Sequence, residues 1–458
     1  MTFMPNSPEA RDVASYIHPQ TNPRMHGETG PSIITKGDGI WIEDNEGKRS
    51  LDAAAGLWCA SLGFAANERL AKVAYDQMRK LGYYQTYRGN SNDPTIGLAE
   101  KLLHLAPVPM SKVLLQCSGS EANDTAIKLI WYYHHAIGKP EKKKIIGRMA
   151  GYHGNTVAAA SLSGKPDMHA DFGIPLPMMR HTAFPHWYRN HVEGEEAFAT
   201  RMADALEKLI LEEGPETVAA FFAEPVMGAG GAVVPPRTYF QKIQSVLRKY
   251  DVLFVADEVI CGFGRTGNWW GSQTFDLKPD MISCAKALSA AFQPISALLI
   301  NEKIYQAMLI EGDKQGSFAH GFTYSGHPVA TAVALETLHI YEETNIIGHV
   351  QAVGPRLIAG LRSLADHPIV GHADGVGLIA GLELMADKAT RRQFSAEIKI
   401  GAIADRMARK HGLILRVIGN RLALSPPLVI TRSEIDELLL RLRRTLDDTA
   451  AEVRKFAA

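Results

Sequence analysis

The feature that most constrains this chain is a series of short, unbroken apolar runs in its middle, set apart by helical stretches. The runs cover 112–115, 144–146, 218–222, 252–255, 281–283 and 295–300, and helix-period segments such as 201–212 and 239–250 lie between several of them. A strand that is apolar on both faces must be covered on both. That is the habit of a mainly parallel sheet packed between helices, so the chain is expected to be α/β. In such sheets ligands sit beyond the carboxyl ends of the strands. The polar residues that follow each run are therefore where chemistry is expected.

The flanks read differently. The first 70 residues are irregular and rich in Pro, Gly and Asn, with one hairpin candidate over 39–44 turning at Asn45-Glu46-Gly47. From Gly326 the pattern is helical through Glu343. Beyond Gly348 helices mix with short strands such as 377–383, and the chain closes on an amphipathic helix over 432–454. A length of 458 residues exceeds one small core. The expected division is an N-terminal segment 1–70 that contributes to a small domain, a large domain 71–337, and a small α+β domain 338–458.

Lys+Arg and Asp+Glu both number 49, so no basic face is expected for nucleic acid or an anionic membrane. Cys59, Cys117, Cys261 and Cys284 lie far apart, with no CxxC and no His spacing of zinc type. They are expected to be reduced thiols, no metal site is expected, and the cytoplasm is the expected compartment. The start MTFMPNSPEA lacks a basic stretch followed by an apolar run, and no apolar stretch is long enough to cross a bilayer.

Four motifs follow apolar runs. Asp257 ends the run at 252–255, and a buried carboxylate needs a partner. A cationic ring nitrogen would serve, and so would a structural salt bridge or a helix cap. Lys286 follows the run at 281–283 among small residues. A lysine desolvated at a strand end has a lowered pKa and can form a Schiff base; a snorkelling surface lysine would show the same sequence. Ser118-Gly119-Ser120 opens a helical stretch, where hydroxyls and free N–H groups suit a phosphate; an ordinary serine cap fits as well. Gly151-Tyr152-His153-Gly154 lets an aromatic ring turn over a flat ligand, or simply packs a core Tyr and His.

Together the motifs supply an anion cradle, a stacking ring, a ring-nitrogen carboxylate and an imine-forming lysine. With Glu224-Pro225-Val226-Met227-Gly228-Ala229-Gly230-Gly231, Asp257 through Gly267, and Gly321-Phe322-Thr323-Tyr324-Ser325-Gly326-His327-Pro328, the chain resembles the class III aminotransferases of pyridoxal-phosphate (PLP) fold type I. Within them it is similar to the ω-aminotransferases that use pyruvate. The resemblance implies a large domain built on a mainly parallel seven-stranded sheet, plus a smaller α+β domain. It implies that Lys286 holds PLP and moves the proton, and that Asp257 pairs with the ring nitrogen. Val259 and Tyr152 would sandwich the ring. Ser118, Gly119 and Ser120 would bind the phosphate, joined by Phe322 and Thr323, with Thr323 from a partner subunit. His153 and Glu224 would support the cofactor. Leu57, Trp58, Tyr87, Tyr152, Ala232 and Arg416 would surround the substrates, Arg416 gripping a carboxylate. The implied partners are an amine donor, a keto acid and a second copy of the chain, as a homodimer or a tetramer.

Ala229 stands where the 2-oxoglutarate-using branch has a Glu that pairs with the arginine, which favours pyruvate. Cys117, Ala287, Gln293 and Ala232 also depart from the family pattern. Three rivals stand beside this reading. A non-catalytic scaffold is disfavoured by the complete pair Lys286 and Asp257. Other PLP fold type I reactions (a racemisation, an amino shift, a decarboxylation, a 2-oxoglutarate-dependent transfer) share the cofactor motifs. Gly262-Phe263-Gly264-Arg265-Thr266-Gly267 matches the dinucleotide pattern G-x-G-x-x-G, but it leads into Asn268-Trp269-Trp270-Gly271 rather than into a helical pattern.

Overall fold

The computed structural model describes residues 3–190 and 193–455. Its centre is a seven-stranded sheet. From one edge the order is Lys112–Gln116, Ser296–Ile300, Met281–Cys284, Leu253–Asp257, Val218–Ala223, Lys144–Arg148 and Met179–Thr182. Every pairing that does not involve Ser296–Ile300 is parallel, and that strand is antiparallel to both neighbours. The apolar runs thus become strands, and the inner ones are buried along their whole length. The helices Glu195–Glu213 and Tyr239–Lys249 cover one face, with Phe198, Leu206 and Ile243 joining Phe221 and Phe254 in one core cluster. The helix Gly119–Ala136 covers the other, where Ile127 and Ile130 meet Phe222 and Val255.

Two features were not legible in the runs. Met179–Thr182 is an edge strand whose Arg180 and His181 are only half-buried, so it carries no apolar run. The direction of Ser296–Ile300 leaves no mark either, because a strand buried on both faces reads the same either way.

The flanks are joined by pairing. Ile34–Asp38, Trp41–Asp44 and Arg49–Asp52 form an antiparallel meander, more regular than the sequence suggests. Leu413–Ile414, from the far end of the chain, adds to it in parallel with Leu51 and Asp52. A second sheet, Val370–Val376, Ile379–Leu384, Arg421–Leu424 and Arg416–Ile418, is wholly antiparallel. The helix Arg432–Arg454 packs on this region through Ile435, Leu438, Leu442 and Leu446. Among the described residues no helix is long and apolar enough to cross a membrane.

Candidate active site

The strand ends converge on one cleft of about 180 Å³. Asp257 is the last residue of its strand and is buried. Its Oδ2 accepts from Asn123 Nδ2 at 2.8 Å and from His153 Nδ1 at 2.8 Å; its Oδ1 accepts from the Val259 amide at 3.1 Å. Three donors from three segments hold the carboxylate in one place. His153 is itself fixed, its amide donating to Ser163 Oγ at 2.8 Å, while its Nε2 has no partner among the described residues.

Lys286 lies across the cleft, two residues past Cys284. It carries a left-handed backbone, φ +49°, uncommon for a lysine and the kind of strain that collects at functional sites. Its ammonium makes no hydrogen bond or ion pair among the described residues. The protein packed around it disfavours the charged form and pushes its pKa down, with Asp257 opposing in part. Glu224, just past the strand Val218–Ala223, is buried and accepts from the amides of Tyr152 at 3.1 Å and Gly228 at 2.9 Å. Burial raises its pKa.

The helix Gly119–Ala136 points its N-terminus at the cleft. Ser118 caps it: its hydroxyl accepts from the Glu121 amide, and the Glu121 carboxylate accepts from the amides of Cys117 and Ser118. Gly119 and Ser120 line the cleft, while Ser118 stands behind them as the helix cap. A Cβ on Gly119 would stand 2.9 Å from Val259, and one on Gly154 only 2.5 Å from Ser120 Oγ. Both glycines keep this wall open.

Tyr152, His153, Val259, Ile260 and Ala285 complete the lining. Trp58 and Ala232 pack with Ile260 in a small apolar cluster, both at positive φ. Leu57 and Arg416 are exposed, and Arg416 forms no ion pair among the described residues. Tyr87 and Phe322 line a separate cavity, and Thr323 lies nearby, its carbonyl accepting from Tyr83 Oη at 2.8 Å. Within one chain these residues are not brought into the Lys286 cleft.

Two residues escaped the sequence reading. Asn123 drew no reading of its own, although an Asn inside a helix is unusual enough to mark it. Arg421 is fully buried. Its guanidinium donates to the carbonyls of Gly231 and Ala232, to Asp374, and to Glu383 at 3.4 Å, and so ties the Ala232 turn to the small sheet. Arg189 and His186 hold Glu383 from the other side. The only sequence signal was a charged residue in an apolar strand, and its meaning needs the pairing of Arg421 with Glu383.

The model of the family described as aminotransferase class-III matches residues 24–446. The chain belongs to the class III aminotransferases. Gamma aminobutyrate transaminase 3, chloroplastic, of Solanum lycopersicum is 46% identical over 464 residues, covering 99% of this chain and 89% of the relative. Gamma-aminobutyrate transaminase 1, mitochondrial, of Oryza sativa subsp. indica is 49% identical over 412 residues, 89% and 80% of the two chains. Among solved structures, the omega transaminase from Pseudomonas jessenii in complex with PMP superposes with a TM-score of 0.96 at 49% identity, over 98% of this chain and 99% of that one. Class III aminotransferases use PLP and adopt fold type I.

The aminotransferase's cleft fits that cofactor. A buried carboxylate with no arginine or lysine paired to it suits a cationic ring nitrogen. An amine without a hydrogen bond suits an aldehyde. A helix N-terminus kept open by glycines suits a phosphate. The dinucleotide reading loses its support, because Gly262–Gly267 runs as turns with no helix opening on it.

Proposed function

We propose that this aminotransferase moves an amino group from a primary amine or ω-amino acid to pyruvate, releasing a ketone or aldehyde and alanine. The observation that carries this reading is the convergence of Lys286, Asp257 and the Gly119–Ser120 helix start on one cleft. Bound PLP supplies an electron-accepting ring that stabilises negative charge on the substrate carbon. Asp257 keeps the ring nitrogen protonated, oriented for this by Asn123, His153 and the Val259 amide. Tyr152 and Val259 would hold the ring, and Gly119 and Ser120 the phosphate, joined by Phe322 and Thr323 of a second copy. Lys286 would hold the cofactor through its amine, and its Nζ would carry the proton to and from the substrate carbon. Desolvation helps by favouring the neutral amine that both tasks need.

Trp58 and Ala232 form the inner substrate wall, Leu57 and Tyr87 the outer one, and Arg416 takes the keto-acid carboxylate. Ala229 offers no carboxylate to compete for that guanidinium, which supports pyruvate over 2-oxoglutarate. The names of the plant relatives support γ-aminobutyrate as a donor worth placing beside simple amines. A homodimer is the proposed unit. Tyr75, Met78, Tyr83, Tyr84 and Tyr87 are exposed and apolar in a single chain, and Phe322 and Thr323 do not reach their own cleft. A cytoplasmic location is supported by four unpaired thiols.

A donor panel including γ-aminobutyrate, assayed against pyruvate and 2-oxoglutarate, tests the assignment. Alanine formation from several amines with pyruvate is expected. Turnover with 2-oxoglutarate alone, or reaction without a keto acid, would contradict it.

A further inference from the structure

Asp12, His18 and His26 meet at a point that plays no part in the cleft. Asp12 lies in the helix Pro8–Ser15, His26 in the helix Pro23–Thr29, and His18 in the link between them. A single oxygen, Asp12 Oδ1, stands 2.9 Å from Nε2 of His18 and 2.9 Å from Nε2 of His26. All three atoms lie within 4.8 Å of one another. The imidazoles are 4.3 Å apart between centroids, and Tyr16 meets His18 edge-on at 4.7 Å, which restricts how the rings turn.

Neither helix has a buried residue. Full hydrophobic burial therefore does not hold them together, and the polar cluster is one contact that links them. Its donor set, two imidazole nitrogens and one carboxylate oxygen, is one that zinc-class ions favour, with a fourth position left for water. A tetrahedral ion with bonds of about 2.0–2.1 Å spaces its donor atoms about 3.3 Å apart. Each 2.9 Å contact would need to open by only a few tenths of an ångström.

We propose that Asp12, His18 and His26 form a binding site for a divalent ion of the zinc class that staples the two N-terminal helices together. Binding replaces each Nε2–H by a metal bond, the proton passing to Nδ1 or, from a protonated ring, to solvent. The fourth position holds water. The site is structural and takes no part in amino transfer.

The test uses tag-free holoenzyme stripped with a chelator and then titrated with Co2+. The difference spectrum should show the visible bands of tetrahedral cobalt, saturating at one ion per chain and abolished by excess Zn2+. Asp12→Asn and the double variant His18→Gln, His26→Gln should lose the signal while keeping PLP absorbance. As a second readout, Zn2+ should slow tryptic cleavage after Arg11 and Arg24 at least tenfold in the unmodified enzyme and not in the variants. Absent or substoichiometric cobalt bands, or bands and protection unchanged in the variants, would show a hydrogen-bonded triad with no metal and overturn the proposal.

Discussion

The floor of the cleft and its mouth are built on different terms. On the floor, Asp257, Asn123, His153 and Glu224 are buried at the ends of strands and in the helix beside them, and each is held by neighbours from other segments. The residues proposed to form the mouth are placed otherwise: Leu57 lies in the kinked four-residue helix Ala55–Trp58, Tyr87 in a single helical turn and Arg416 on an edge strand, all exposed. A group fixed from several directions cannot move without leaving buried donors or acceptors unpaired. A group on an exposed turn pays little to move. On the proposed reading, the chemistry rests on the sheet and substrate choice on the exposed residues.

The comparison breaks most sharply at Lys286. Lys286→Ala should lower turnover by about 10⁴-fold, the upper range for losing a positioned proton carrier, while still binding PLP without a covalent bond. Steady-state rates with absorbance spectra check both parts. Arg421→Met tests whether the support behind the wall counts as floor. Removing one partner of a buried ion network costs about 3–5 kcal/mol, so thermal denaturation should show a large loss of stability. Asp257→Asn should lower turnover by about 10²–10³-fold with little change in KM, since it alters charge at the ring nitrogen rather than the substrate wall.

Glu258 gives a pH-dependent version of the floor. It is buried and accepts from the amides of Gly271 and Ser272 and from the Ser272 hydroxyl. Burial pushes its pKa up from 4.5 to about 7. Between those values the folded state binds a proton that the unfolded state has released. Stability contributed here is therefore present at acid pH and lost as pH rises from about 4.5 through about 7, on the order of 1 kcal/mol per pH unit. Glu258→Gln should flatten the dependence of Tm on pH in that window. The smallest effect belongs to the mouth. Arg416→Ala should slow the pyruvate half-reaction about tenfold, one charge-assisted hydrogen bond's worth, and the amine half-reaction less. Equal losses in stopped-flow traces would remove Arg416 from its role.

The same contrast explains what the sequence disclosed. Asp257 and Lys286 were legible because each follows a run of residues that must be buried, and a charge at that point demands a reason. The Gly119 and Gly154 turns were legible as breaks in such runs. Asn123, Arg421 and the Asp12–His18–His26 cluster were not. Asn123 and Arg421 gain their meaning from partners far along the chain or across a sheet, and the cluster from the way two short neighbouring helices meet; spacing records neither. Ser118 shows the limit from the other side: the motif was plain, but only the structure shows its hydroxyl accepting from the Glu121 amide as the helix cap.

The most direct measurement is borohydride reduction of the holoenzyme followed by peptide mapping. One cofactor adduct per chain is expected, on the peptide that carries Lys286. An adduct on another lysine, or none at all, would contradict it.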